Sequence, residues 1–431
     1  MNEVAKSTIF LSVLISSLVV DVEASDWPQF QGDATNSGLT EDEVPENPRI
    51  LWYFDLVRVD VPPIVVGGSV YVLAGNGTLC SLDKKTGGIG WTAQMDGWVF
   101  QTSTPALSGD RIFAATDSGY LAAFDARTGE EVWTHHLTDK RFEAPITCFD
   151  GLIYLGEGSG YGRGAKRYFC FDEEGNEVWN LSQDTTGYMW CGAAVAGDYL
   201  VYGRNDGCLL SVHRKTGDLA DILNLSDASR IDFAVSDPGR IRASVTYIGG
   251  SVRATSEFSA KRGYAWKVGF DEDDGTFEDR GWSSSVGFST STPAILDGRV
   301  YLGVGEHGYP GALTCLDDAT GDLIWTYPVE AGVKSSPVIS SVGEYPRIVF
   351  TTAKVNGSLY CVEDAGIEPR LVWRFDPPDD GYILAGAAVS DGRVYFGTEK
   401  GVLYCLSDAR SDPFENATPD MKMEEDPHDK N

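Results

Sequence analysis

The chain has 431 residues, with 34 Lys and Arg against 64 Asp and Glu for a formal net charge of −30, and it carries 49 Gly, 19 Tyr, 19 Phe and 11 Trp. A surface this acidic repels phosphate backbones and anionic headgroups, which excludes nucleic acid as a partner. Short Val/Ile/Tyr/Phe runs broken by Asp-Gly and Thr-Gly pairs, with no long helical period, predict a mostly β protein.

Taken in chain order, the first feature is the apolar run IFLSVLISSLVV over residues 9–20, which follows Lys6 and precedes the small residue Ala24. It is shorter than the ~20 residues a membrane span needs, so no transmembrane span is expected. A probable signal peptide over residues 1–24 is the expectation, with a secreted or extracytoplasmic location; a buried N-terminal segment in a cytoplasmic protein is the alternative. The string DWPQFQGDATNSG follows over residues 26–38, and RILWYFDL over 49–56 reads as a strand that carries Trp52 but has no partner strands before it.

A repeat then begins. SLDKKTGGIGW (81–91), AFDARTGEEVW (123–133), CFDEEGNEVW (170–179) and CLDDATGDLIW (315–325) share an Asp, a turn with Gly and a Trp. Worn copies stand at SVHRKTGDLAD (211–221) and GFDEDDGTFED (269–279), and CVEDAGIEPRLVW (361–373) is stretched. Asp ends one strand, Thr-Gly turns the chain through a positive φ, and Trp starts the next strand with its face toward a neighbour. Trp52, Trp91, Trp133, Trp179, Trp325 and Trp373 are therefore expected to dock one blade on the next. Periods in the forties built from short strands predict propeller blades, here near 61–94, 99–137, 142–182, 188–225, 231–283, 287–328, 333–376 and 383–408. The last copy lacks a Trp strand and the N-terminus has a spare one, so eight four-stranded antiparallel blades are expected, closed by the N-terminal strand.

This repeat resembles the PQQ-like β-propeller family, from Asp26 to Asp408, and the DWPQFQGDATNSG string is similar to the opening of such proteins. The resemblance implies either a non-catalytic binding or assembly platform similar in kind to the BamB-like envelope factors, or a reduced quinoprotein dehydrogenase using PQQ with Ca²⁺ on alcohols or sugars. A sensor domain reading a small ligand is a third reading. The quinoproteins hold PQQ between a Trp and a disulfide of adjacent Cys. None of the eight Cys here is adjacent to another, and no CxxCH occurs. No cofactor and no metal are expected, and the cysteines read as small core residues. The uniform acidity, with arginine exceeding lysine, resembles proteins of salt-loving archaea.

Residues near the start of each innermost strand are candidates to line the axial channel: Arg58, Asp60, Gln101, Arg141, Glu143, Trp190, Asp232, Thr290, Lys334 and Tyr382. Two related glycine-rich loops on one rim add Glu157, Tyr161 and Arg163 in blade three, and Glu306, His307 and Tyr309 in blade six. No catalytic residue is assigned. The expected partner is a protein or small ligand on the rim or axis of a monomer, and the acidic tail over 409–431 is expected to be disordered.

Overall fold

The computed structural model describes residues 26–99, 103–158, 164, 166–185, 187–259 and 261–408. The expected signal peptide over 1–24, the acidic segment over 409–431, Gln101, Tyr161 and Arg163 lie outside them. The described residues form eight blades of four antiparallel strands, one of which gains a short fifth strand, with no helix among them, which is the eight-bladed propeller that the repeat predicts. In blade one the strands run from the inside out as A (Ile64–Val66), B (Ser69–Leu73), C (Thr78–Asp83) and D (Ile89–Gln94). Strand A is short and wholly buried, whereas strand D alternates exposed and half-buried positions because one of its faces meets solvent.

Ring closure is made by the N-terminal strand. Arg49–Asp55 is the outer strand of blade eight and pairs antiparallel with Val402–Ser407, placing Trp52 opposite Cys405. That position recurs: Cys170 faces Trp179, Cys315 faces Trp325 and Cys361 faces Trp373. A small residue is needed there beneath a large ring, and all eight cysteines are free and buried.

Each docking Trp reaches the C–D turn of the next blade. The indole N–H groups of Trp52, Trp91, Trp133 and Trp179 donate to the carbonyls of Lys84, Ala126, Glu173 and Arg214 at 2.9–3.2 Å. The turn glycine lies under the same ring, where a Cβ on Gly87 or Gly175 would stand 2.7 or 2.8 Å from Trp52 or Trp133. The motif thus couples two blades at once: the Trp of one needs the glycine of the next. Trp325 donates instead to Asp364 Oδ1, and Trp373 to the Pro45 carbonyl that precedes the closing strand.

The worn blades are repaired differently. Trp282 supplies the dock from blade five to blade six, donating to the Asp318 carbonyl at 3.0 Å over Gly321. Its place was hidden because the outer strand Phe277–Ser285 is long and shifts register at Gly269. Blade four has Asp221 where a Trp would stand, and Asp221 binds Arg230 at 2.7 Å and accepts the Phe277 N–H. Arg230 belongs to the long connection 225–245, which folds over that seam, so the expected start of blade five at 231 is corrected to strand A at Thr246–Ile248.

The segment Asp26–Thr40 lies inside the ring, along the innermost strands. Trp27 pairs with Val65 in blade one, and the Pro28, Ala34, Thr35 and Gly38 carbonyls accept the N–H groups of Leu107, Val195, Tyr247 and Ile339 in blades two, four, five and seven. Gln29 bonds both backbone groups of Cys148 in blade three, while buried Asn36 donates to the carbonyls of Ala193 and Val245. Leu39–Thr40 then adds to blade seven as a parallel strand, and Asp42 accepts the Asp391 N–H of blade eight.

The Trp–Gly coupling is testable within blade six, where Gly321 has φ +76° with a Cβ site 2.6 Å from Trp282, and Gly298 has φ +74° with nothing within 4 Å. Alanine costs about 1–2 kcal/mol of backbone strain at either position. Gly321→Ala must also displace the indole, so denaturant unfolding should show it less stable than Gly298→Ala by a further ~1–3 kcal/mol. Equal losses would show that the ring contact is incidental.

Candidate functional site

Because the N-terminal segment fills the side of the ring where strands A and B join, the axial channel is a blind cup. It is lined by Phe30 of that segment and by residues leading into strand A of several blades, among them Pro62, Pro145, Trp190, Thr290 and Lys334. The cavity measures about 50 Å³ and opens on the face formed by the B–C and D–A connections. Phe30 and the prolines make it apolar below, and charged side chains surround the mouth.

Sequence-assigned channel residues divide three ways. Trp190, Thr290 and Lys334 line the cup. Lys334 Nζ lies 5.0 Å from the Trp190 ring centroid, and burial together with neighbouring Arg242 pulls its pKa down against the opposing fields of Glu257 and Glu306. Arg58, Asp60 and Tyr382 gather beside the mouth in blades eight and one: Arg58 is paired with buried Asp60 and, at 2.7 Å, with Glu399. Burial nevertheless raises the Asp60 pKa above the usual carboxylate value. Arg141 and Glu143 form an ion pair of 3.3 Å at the seam of blades three and four, outside the cup lining.

Asp232 is corrected. It is exposed, its N–H bonds Asp279 on the outer strand of blade five, and it faces away from the axis. The error follows from starting blade five at 231; the residue that takes the axial place is Arg242, whose guanidinium lies 5.9 Å from the Trp190 centroid and 3.3 Å from Glu257.

Of the rim residues, His307 and Tyr382 meet: the Tyr382 hydroxyl and His307 Nδ1 are 2.7 Å apart with the rings stacked, joining the blade six loop to the blade eight lead-in across blade seven. Burial and then the Lys334 charge lower the His307 pKa. Tyr309 is exposed on the same loop, and Glu306 is half-buried beside it. Glu157 is buried and used up as a clamp at the base of its own loop. It accepts the N–H groups of Lys166 and Arg167 at 2.8 and 3.0 Å and the Arg167 guanidinium at 2.8 Å. Sequence reasoning missed Phe30, Arg242, Glu257 and Glu399, which stand far apart in the chain and share no motif.

Exposed Phe258, Tyr309 and Val355 occupy the B–C connections of three successive blades, five, six and seven, on the face where the cup opens. The opposite face exposes Phe149, Ile248 and Ile367 singly.

The residues at the axis do not fit PQQ with Ca²⁺. Phe30 fills the floor, the cavity is far below the ~300–1,000 Å³ of pockets for larger ligands, and no group of three or more His, Cys, Asp or Glu placed to hold a metal occurs among the described residues. The eight cysteines lie buried and unpaired with one another.

The Glu157 clamp has a pH signature. Burial alone would raise its pKa, but the Lys166 N–H, the Thr138 hydroxyl and the Arg167 groups outweigh it and hold the carboxyl below the usual value. A depressed folded pKa stabilises fully above the unfolded value of ~4.3 and is lost as pH falls from there through the folded value. Glu157→Gln should therefore cost ~1.5–3 kcal/mol at neutral pH, and the gap to the parent should close on acidification in urea unfolding. A gap independent of pH would show that the carboxylate is not the anchor.

The family model described as Outer membrane protein assembly factor BamB matches residues 44–160, 97–267 and 250–345. No curated protein sequence matches the chain. BamB from Moraxella catarrhalis is similar in structure, with a TM-score of 0.60 at 17% identity over 85% of this chain and 99% of that one. A europium-containing methanol dehydrogenase gives 0.68 at 14% identity over 89% and 98%, and the quinohemoprotein alcohol dehydrogenase from Comamonas testosteroni 0.68 at 15% over 94% and 83%. Likeness at such identities shows the fold alone. With the repeat, the eight blades and a family match running from residue 44 to 345, the chain belongs to the PQQ-like propeller family described by its BamB members.

Proposed function

We propose that this protein is a non-catalytic binding or assembly platform at the cell envelope, similar in kind to BamB, that engages a protein partner with the face made by its B–C and D–A connections. The observation that carries this reading is the filled axis: Asp26–Thr40 occupies one side of the ring, leaving a shallow cup on the other. Around it the exposed Phe258, Tyr309 and Val355 offer apolar area on adjoining loops, the composition that partner-binding cores favour. The apolar run at 9–20 and the family description support an extracytoplasmic site of action. No helix among the described residues is long and apolar enough to cross a membrane.

The dehydrogenase reading lacks support at the axis. Asp60 is committed to Arg58 and Glu143 to Arg141, so the carboxylates that could polarise a substrate or hold Ca²⁺ are already paired.

Two arms test this proposal. Phe258→Asp with Tyr309→Asp should abolish capture of a reproducible partner from the native envelope, whereas Phe149→Asp with Ile248→Asp on the other face should leave it intact. In parallel, added PQQ and Ca²⁺ should give no alcohol- or sugar-dependent dye reduction. Partner loss on the wrong face would refute the docking face, and chelator-sensitive dye reduction would establish an enzyme.

A further inference from the structure

We propose that the axial cup is a carboxylate-binding site, taking one small carboxylate with a short apolar body, presented by a free organic acid or by the C-terminus of a polypeptide. It rests on the binding-platform reading only for the face on which the ligand arrives.

The inference comes from hydrogen-bond donors without acceptors. Trp190 Nε1 is buried and bonded to nothing, and so is Arg242 Nε. Lys334 Nζ rests against the Trp190 ring at 5.0 Å and enters no hydrogen bond or ion pair among the described residues. These groups come from the lead-ins of blades four, five and seven, yet they converge on one indole. Leaving a buried donor unsatisfied costs about 1–3 kcal/mol, so the Trp190 and Arg242 groups, with the half-buried Lys334 ammonium on the cup wall beside them, ask for an acceptor. A carboxylate has two oxygens with roughly four lone-pair sites and donates nothing, which matches a set made only of donors.

Charge and size narrow the class. Among the described residues that line the cup, Lys334 is the one charged side chain, a single positive charge in a chain whose net charge is −30. That suits a monoanion and disfavours a phosphate dianion. Ser335 donates to the Thr351 carbonyl, whereas Ser336 accepts the Thr292 N–H and keeps its own hydroxyl proton to donate. The remaining wall at Pro62, Pro145, Leu384 and Phe30 is apolar. About 50 Å³ accommodates roughly three to five waters at the ~10–15 Å³ each requires. Acetate or propionate has that bulk, with its methyl end against Phe30.

Calorimetric titration of the full chain at matched salt is the test, with propionate, propionamide, inorganic phosphate, and the peptide Gly-Gly-Leu with a free or an amidated C-terminus as probes. Propionate or the free peptide should fill one site per chain, and the amides and phosphate should give no saturable heat. Lys334→Met should weaken binding about tenfold or more, while Trp190→Phe, which keeps a ring and removes the N–H, should weaken it by a smaller factor. Lys334→Arg should retain it, which separates loss of charge from loss of fold. Binding of the free peptide with none by its amide assigns the site to a partner's C-terminus; binding of propionate alone assigns it to a free acid. Equal binding of acid and amide, affinity unchanged in both Lys334→Met and Trp190→Phe, or no heat from any carboxylate would overturn the site. The platform reading would survive any of these, because it is judged by the face substitutions.

Discussion

A ring of blades that touch only their neighbours must close on itself, and everything else in this molecule depends on how that is done. The N-terminal segment closes it twice. Arg49–Asp55 completes the outer edge of blade eight, while Asp26–Asp42 bonds backbone or side-chain groups in blades one to five, seven and eight from inside. Outer closure removes two sheet edges that would otherwise seek foreign strands. Inner closure satisfies the buried N–H groups of the innermost strands, which would be costly to leave facing an apolar channel. A plugged axis follows directly, and so does the asymmetry between the two faces.

That asymmetry gives the two faces different characters. On the filled side the turns are tight, rich in Asp-Gly and occupied with blade docking, as at Gly87 and Gly321. On the open side the connections are longer and carry the unpaired Trp190 N–H, the stacked His307–Tyr382 pair and the exposed apolar side chains. Solved structures with this fold include BamB and alcohol dehydrogenases, and what distinguishes them must be sought in the residues at the axis. Here those are Phe30 below and Lys334, Arg242 and Trp190 above.

The fold was legible in the sequence because its main interaction is local and repeated: an Asp, a glycine turn and a Trp within eleven residues announce each junction. Where the junction is made otherwise, the pattern fell silent. Asp221 and Arg230 replace a Trp in blade four, and Trp282 sits beyond a register shift, so blade five was started too early and Asp232 was given a place that belongs to Arg242. The inner closure was illegible for another reason: most of its hydrogen bonds run through backbone groups, which every residue has. Gln29, Gln31 and Asn36 are among the exceptions, and nothing around them marks a polar side chain that will be buried. The pairing of His307 with Tyr382 spans 75 residues and a whole blade, a distance that only the closed ring sets.

Residue-resolved hydrogen exchange of the full chain measures this account most directly. If the N-terminal segment is an integral inner girdle, the amides of Val65, Leu107, Val195, Tyr247 and Ile339, together with that of Trp27, should exchange only by global unfolding, with protection equal to the central strands. Fast exchange of these amides while strands B and C stay protected would contradict it. The segment would then be a loose tail, and the axis an open pore instead of a cup.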